Sequence, residues 1–107
     1  MRVTLDRWAQ DPAFVSAQRR TRLRFPEAWT TVEFELRNAA RELGEFSAED
    51  VMERVGRAAV PPNLIGAVLG SWRSRGYLRV SGRERARHAA ARGRWLNRFV
   101  MVQGRDP

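Results

Sequence analysis

The hydrophobic pattern of this chain changes period at Gly76. Before this glycine, apolar residues recur every three or four positions, as they do on the buried face of a helix. After it, residues 77–81 and 94–102 alternate between apolar and polar side chains, which is typical of strands. The change predicts an α+β fold that is mostly helical, with three core helices followed by a C-terminal two-stranded β-hairpin.

The first core helix is predicted over residues 31–43. Thr30 and Glu33 have the spacing of a capping box at its start, and Gly44 is placed to end it. Its buried stripe is predicted to comprise Val32, Leu36, Ala39, Ala40 and Leu43.

The second core helix is short, with Ser47 as its cap and Gly56 at its end. Its first turn carries acids, which the helix dipole favours there, and its inward face is Val51, Met52 and Val55. The third begins at Pro61-Pro62-Asn63, runs to about Arg75 and stops at Gly76. Its core face is Leu64, Ile65, Val68, Leu69 and Trp72, and its other face carries small residues, Gly66, Ala67, Gly70, Ser71 and Ser74.

Two segments flank this core. Residues 1–28 are predicted as a helical N-terminal extension, which starts its helix at Asp11-Pro12 and is closed by Pro26. Residues 29–103 form the main domain, and residues 104–107 are a tail. Within the domain, the polar loop GRERARHAAARG at residues 82–93 is predicted to join the two strands as a long hairpin tip.

Composition limits the class of protein. With 107 residues the chain fits one compact domain, and with no cysteine it has neither a disulfide framework nor a thiolate metal site. The longest apolar stretch, residues 64–69, is far shorter than a membrane span, and the N-terminus has no apolar signal core. We therefore expect a cytoplasmic protein without a membrane partner.

The positive charge is concentrated near the C-terminus. The net charge is +8, and all 20 basic residues are arginine. Residues 1–70 hold ten arginines against ten acids, whereas residues 71–107 hold ten against Glu84 and Asp106 alone. Such asymmetry is typical of a surface that meets phosphate, although a solvated basic face kept for solubility has the same composition.

Catalytic chemistry finds little support. His88 is the single histidine, and the acids Glu45, Glu49, Asp50 and Glu53 suit helix capping better than a metal cluster. The phosphate-binding patterns GxGxxG and GxxxxGK are absent, and no nucleophile has a partner base at a recognisable spacing. We expect neither an enzyme nor a cofactor or metal.

One segment resembles a known family. FSAEDVMERVGRAAVPPNLIGAVLGSWRSRGYLRVSG, residues 46–82, followed by Gly93-Arg94-Trp95, resembles the winged helix-turn-helix DNA-binding proteins, especially the small winged-helix proteins of bacteriophages from GC-rich, actinobacterial-type hosts. The resemblance covers residues 30–102 and implies a regulator or accessory factor. Its third helix would enter the major groove of double-stranded DNA and its hairpin, the wing, would grip the backbone. The DNA-binding residues so implied are Asn63, Ser71, Arg73, Arg75, Arg79, Arg83, Arg85, Arg87, Arg92 and Arg94.

Other interpretations stay open at this point. The third helix offers few long side chains for reading bases, so its small-residue face equally suits docking on a replication or transcription enzyme. The basic wing also suits structured RNA, and a homodimer is common for such modules. Trp29, Trp72 and Trp95 are predicted as core rather than as base-stacking residues. The cluster Arg19, Arg20, Arg22 and Arg24 is predicted as either a second phosphate-contacting arm, a solvated face or a dimerisation helix.

Overall fold

The computed structural model describes residues 12–56, 59–61, 63–87 and 94–103. Within these residues the chain forms four helices and a three-stranded antiparallel sheet, which confirms the mostly helical α+β class and the C-terminal hairpin. The elements follow in the order α1 (Pro12–Arg24), α2 (Pro26–Leu43), β1 (Phe46–Ser47), α3 (Ala48–Val55), α4 (Leu64–Ser74), β2 (Leu78–Arg85) and β3 (Trp95–Met101).

Pro26 separates α1 from α2. Phe25 leaves the helical conformation with φ −129° and ψ 62°, and Pro26 occupies the first position of α2, where its missing N–H loses no hydrogen bond. The helix therefore begins five residues earlier than position 31, and the capping box predicted for Thr30 and Glu33 is wrong. Thr30 already lies inside the helix, where its hydroxyl donates to the Pro26 carbonyl at 3.0 Å.

The predicted ends of α2 and α3 are confirmed. Gly44 and Gly56 follow the two helices at φ 75° and 90°, a backbone region that glycine enters without steric cost. At the start of α3, Ser47 is the cap and its backbone N–H donates to Asp50 Oδ2 at 2.8 Å. The acid in this first turn thus satisfies a backbone donor that the helix itself leaves open.

The sheet has one strand more than predicted. Its order is β1-β3-β2, with Phe46 paired to Phe99 and Leu78 paired to Met101. Strand β1 has two residues, too few for an alternating pattern to be visible in the sequence. Strand β2 also runs on to Arg85 past an irregularity between Val80 and Gly82, so the first residues of the predicted loop belong to the strand.

The core lies between α2, α3, α4 and the sheet. All five residues predicted for the core face of α4 are buried, as are Trp29, Val32, Leu36 and Phe99. Leu43, predicted in the stripe of α2, is instead 49% exposed at the helix end. Each large apolar side chain that is buried stabilises the fold by roughly 1.5–3 kcal/mol. Among the helices of the described residues, none is long and apolar enough to cross a membrane.

Candidate nucleic-acid interface

The two faces of the β2–β3 hairpin differ in charge. In the register of the strands, Arg83 lies opposite Asn97 and Arg85 lies opposite Trp95. Since side chains alternate between faces, these four share one face, while Glu84 and its partner Leu96 lie on the other. The face with Arg83 and Arg85 is also the face of the buried Phe99, so it is turned toward the helices.

A groove of about 480 Å³ lies between this hairpin face and α4. On the helix side it is lined by Gly66, Gly70 and Arg73, which recur at helical spacing. On the hairpin side its lining includes Arg83, Arg94 and Trp95, and none of the described residues that line it is acidic. We call this concavity the basic groove.

Arg73 forms part of the groove wall close to the core. Its residue is 9% exposed, and its guanidinium carbon is 5.9 Å from the centroid of the Phe99 ring. Burial lowers the pKa of Arg73 below the ordinary arginine value, because removal from water disfavours the charged form. An anion in the groove would therefore favour the charged state that the protein interior opposes.

Two residues predicted on the exposed face of the third helix are buried. Ser71 is 6% exposed and Arg73 is 9% exposed, so the prediction that both lie on the solvent-exposed face of the helix is wrong. The physical reason is that more than the apolar stripe of α4 is covered: α1 packs on this helix as well as α2, α3 and β2, and Arg73 lies against the Phe99 ring of β3. Gly70 is buried too, whereas Gly66 stays exposed with nothing within 4 Å of the position that a Cβ would take.

Trp95 stands out of the core. The prediction of a core residue is confirmed for Trp29 and Trp72, which are 2% and 0% exposed, but it is wrong for Trp95, which is 55% exposed. Its ring lies beneath the Arg85 guanidinium, with 4.5 Å between the guanidinium carbon and the ring centroid. Trp72, in contrast, is fixed inside by a hydrogen bond of 2.8 Å from its Nε1 to Glu33.

Arg87 is turned away from the groove and bound to acids of α3. Its backbone N–H donates to both carboxylate oxygens of Glu49 at 2.9 Å, and its guanidinium lies 2.6 Å from Asp50 Oδ1 and 3.6 Å from Glu53. The hydrogen bond to Asp50 raises the pKa of Arg87 well above its ordinary value. This placement argues against the phosphate contact predicted for Arg87, because its charge is already balanced within the fold.

The pKa of Asp50 reflects the same contact. Burial opposes ionisation of this carboxyl, but the hydrogen bonds from the Ser47 backbone and from the Arg87 guanidinium outweigh it. The pKa of Asp50 is therefore lowered, and the carboxylate stays charged at neutral pH. Among the described residues, no group of three or more acids or histidines has the arrangement of a metal site.

The other predicted site residues are spread along the surface. Asn63, Arg75 and Arg79 are exposed, but they do not line the basic groove. Arg92 and His88 lie outside the described residues. Of the ten predicted residues, the groove thus brings together Arg73, Arg83 and Arg94 at its lining, with Arg85 stacked on Trp95 beside them.

The sequence did not predict Trp95 and Asn97 as residues of this surface. Both share the parity of Phe99 along β3, so the alternation did place them on one face. What the pattern lacked was the position of α4, whose Arg73 lies against Phe99 while Trp95 stays exposed.

A second basic surface lies on α1. Arg19, Arg20, Arg22 and Arg24 are all exposed, and the helix segment from Ser16 to Arg24 contains no acid. Helix α1 packs against α4, the helix that borders the groove, but these arginines do not line the groove.

No family model, no curated protein and no solved structure matches this chain.

Proposed function

We propose that this chain is a winged-helix protein that binds double-stranded DNA, with α4 at the major groove and the β2–β3 hairpin as the wing. The element order helix, short strand, helix, helix, hairpin supports this fold, as does the pairing of β1 with the last strand. A regulator or accessory factor of phage or prophage type, without catalytic activity and acting in the cytoplasm, fits a small basic DNA-binding protein.

The observation that carries the proposal is the basic groove. Arg83, Arg85 and Arg94 are exposed on or beside it, and its described lining residues include no acid that would repel phosphate. Arginines in such a concavity bind the DNA backbone mainly by releasing counterions, which gives affinity without sequence information.

We expect modest sequence specificity. The exposed residues near the N-terminus of α4 are Asn63 and Gly66, and Arg75 follows at its C-terminal end. Asn63 and Arg75 have side chains that can hydrogen-bond base edges. Gly66 allows the duplex to approach the helix closely but has no side chain to contact a base. The phosphate contacts of the wing therefore supply most of the affinity.

The rival function is docking on a protein through the small-residue face of α4. Little of that face is accessible to a partner. Gly70 and Ser71 of that face are buried, and Ala67 and Ser74 are half-buried. The charge of the groove also suits a polyanion better than the mixed surface of a typical protein partner.

The test is the affinity for a random-sequence duplex, measured by fluorescence anisotropy at a series of salt concentrations. We expect log K to fall linearly with log salt, with a slope of about −0.9 for each phosphate neutralised and about three to five phosphates in all. The double variant R83A/R85A should make this negative slope shallower by about two units and weaken binding.

The matched control is R37A/R41A, which removes the same two charges from the net +8 at exposed positions of α2 that do not line the groove. It should leave the slope close to the wild-type value. Equal losses in the two double variants would mean that net charge alone drives binding, and unchanged affinity in R83A/R85A would overturn the proposal.

A further inference from the structure

We infer that the basic groove holds an unstacked nucleotide, so that the preferred DNA is a duplex with a single-stranded extension rather than a blunt duplex. This inference rests on the proposed function and specifies the form of its ligand. It starts from Trp95, whose residue is 55% exposed at a groove that Arg83 and Arg94 also line.

Trp95 is the exposed tryptophan among those of the described residues. An indole ring left in water forgoes the stabilisation that burial gives, and the other tryptophans of the described residues, Trp29 and Trp72, are almost wholly buried. Arg85 lies over the ring at 4.5 Å, and more than half of the residue's surface stays accessible. The ring thus contacts a cation, and more than half of the residue's surface is open to a further ligand.

A nucleobase is the planar group that suits this site. Bases stack on exposed aromatic rings regardless of sequence. The phosphates that flank each base form strong hydrogen bonds with guanidinium groups. Arg83 and Arg94 are the exposed arginines that line the same groove, and Asn97 offers an amide that can hydrogen-bond a base edge. The groove volume of about 480 Å³ lies within the range of small-ligand pockets, roughly 300–1,000 Å³, and so gives room for a single nucleotide.

The stacking requirement determines the form of the DNA. Within a duplex both faces of each internal base are covered by neighbouring bases, so only the outer face of a terminal base pair is open to an indole. A base in a single-stranded extension is free to turn out into the groove, while the adjoining duplex still meets the wing and α4. The site therefore fits the junction between a duplex and a short single strand.

The experiment compares two ligands with the full chain: a blunt duplex and the same duplex extended by a short single strand of thymidines, at either the 3′ or the 5′ end. We expect tighter binding to at least one extended duplex. Trp95→Ala should weaken binding of the extended duplex by roughly 5- to 150-fold, the range for one lost base-stacking contact, and weaken the blunt duplex much less, so that the preference for the extension is lost.

Two variants serve as controls. Trp95→Phe keeps an aromatic ring and should retain most of the preference for the extension, and it should lose the quenching of tryptophan fluorescence that the extension causes. Phe34→Ala removes another exposed ring, 61% exposed on α2 and away from the groove, and should keep the wild-type preference. Unchanged thermal unfolding midpoints would show that each variant is folded.

The outcomes separate this inference from the proposed function. Salt-dependent binding of the blunt duplex without any gain from an extension, or a gain that survives in Trp95→Ala, overturns the inference and leaves the proposed function standing. Absence of binding to every DNA at low salt overturns both.

Discussion

At the scale of single residues, arginines close together in the sequence have different roles. Arg83 and Arg87 are four positions apart, yet Arg83 is exposed at the basic groove and Arg87 is bound to three acids of α3. The difference arises because β2 ends at Arg85, so that Arg87 no longer follows the alternation of the strand. Its hydrogen bonds instead hold the end of the wing against α3.

We predict that Arg87→Ala lowers the free energy of unfolding by about 1 kcal/mol, because a half-exposed ion pair with charge-assisted hydrogen bonds is lost. The slope of log K against log salt for a random duplex should stay within error of the wild type. Arg83→Ala should show the reverse, with little change in the free energy of unfolding and a salt slope that is shallower by about one unit. Urea denaturation and the salt titration provide the two measurements.

A loss of slope in Arg87→Ala as large as that in Arg83→Ala would contradict this assignment. It would mean that the guanidinium leaves the acids of α3 to meet phosphate when DNA binds.

At the scale of elements, α4 shows what a periodic pattern can and cannot predict. The pattern correctly predicted its span and all five core residues, because one strongly apolar stripe is visible in the sequence. The opposite face was predicted as free surface, and there Ser71 and Arg73 are buried. A sequence shows which face of a helix is apolar, but it does not show that other elements also pack on the opposite face, as α1 packs on α4 and the Phe99 ring lies against Arg73.

A substitution at Gly66 tests how closely DNA approaches α4. This glycine lies within α4 at an exposed position of the groove, with open space where a Cβ would be. Gly66→Ala should therefore raise the free energy of unfolding by about 0.5–1 kcal/mol, since alanine loses less backbone entropy in a helix. If the duplex approaches α4 closely, the same change should weaken DNA binding. Urea denaturation and anisotropy would measure the two effects on one preparation.

Gly44→Ala is the matched control, because its Cβ would also meet open space but its φ is 75°. That variant should be less stable than the wild type by about 1 kcal/mol and should bind DNA normally. A destabilised Gly66→Ala would show that α4 is strained at this position in a way that the open space does not suggest.

At the scale of the whole molecule, the class of fold could be predicted from the sequence, but the basic groove could not. The change of period at Gly76 predicted helices followed by a hairpin, and the glycines after α2 and α3 marked the helix ends. Strand β1 and the early start of α2 were missed, because the first is too short to show a period and the second depends on Pro26 starting a helix rather than ending one. The groove required the distance between α4 and β3, which no local pattern contains.

The balance of charge across the fold predicts its response to acid. The pKa of Asp50 is below its ordinary value of 3.8, and the hydrogen bond from Arg54 likewise lowers the pKa of Glu42. A carboxyl with a lowered pKa in the folded state contributes stability that is present above its unfolded pKa and is lost as the pH falls through its folded pKa. The free energy of unfolding should therefore decline below about pH 4.

Asp50→Asn tests the share of this decline that belongs to α3. The variant should be less stable than the wild type at neutral pH, and the difference in free energy of unfolding should shrink as the pH falls through the acid range. Urea denaturation at a series of pH values measures it, and a difference that stays constant would show that Asp50 does not titrate with unfolding.

The wing is closed off at its base before the chain leaves the described part of the hairpin. The Ala86 backbone N–H donates to the Arg94 carbonyl at 2.8 Å, and Arg87 is fastened to α3 directly after it. These bonds tie the base of the wing together and attach it to α3. The basic groove is therefore preorganised at its edge, so a ligand that binds there does not have to supply the free energy of ordering these two residues.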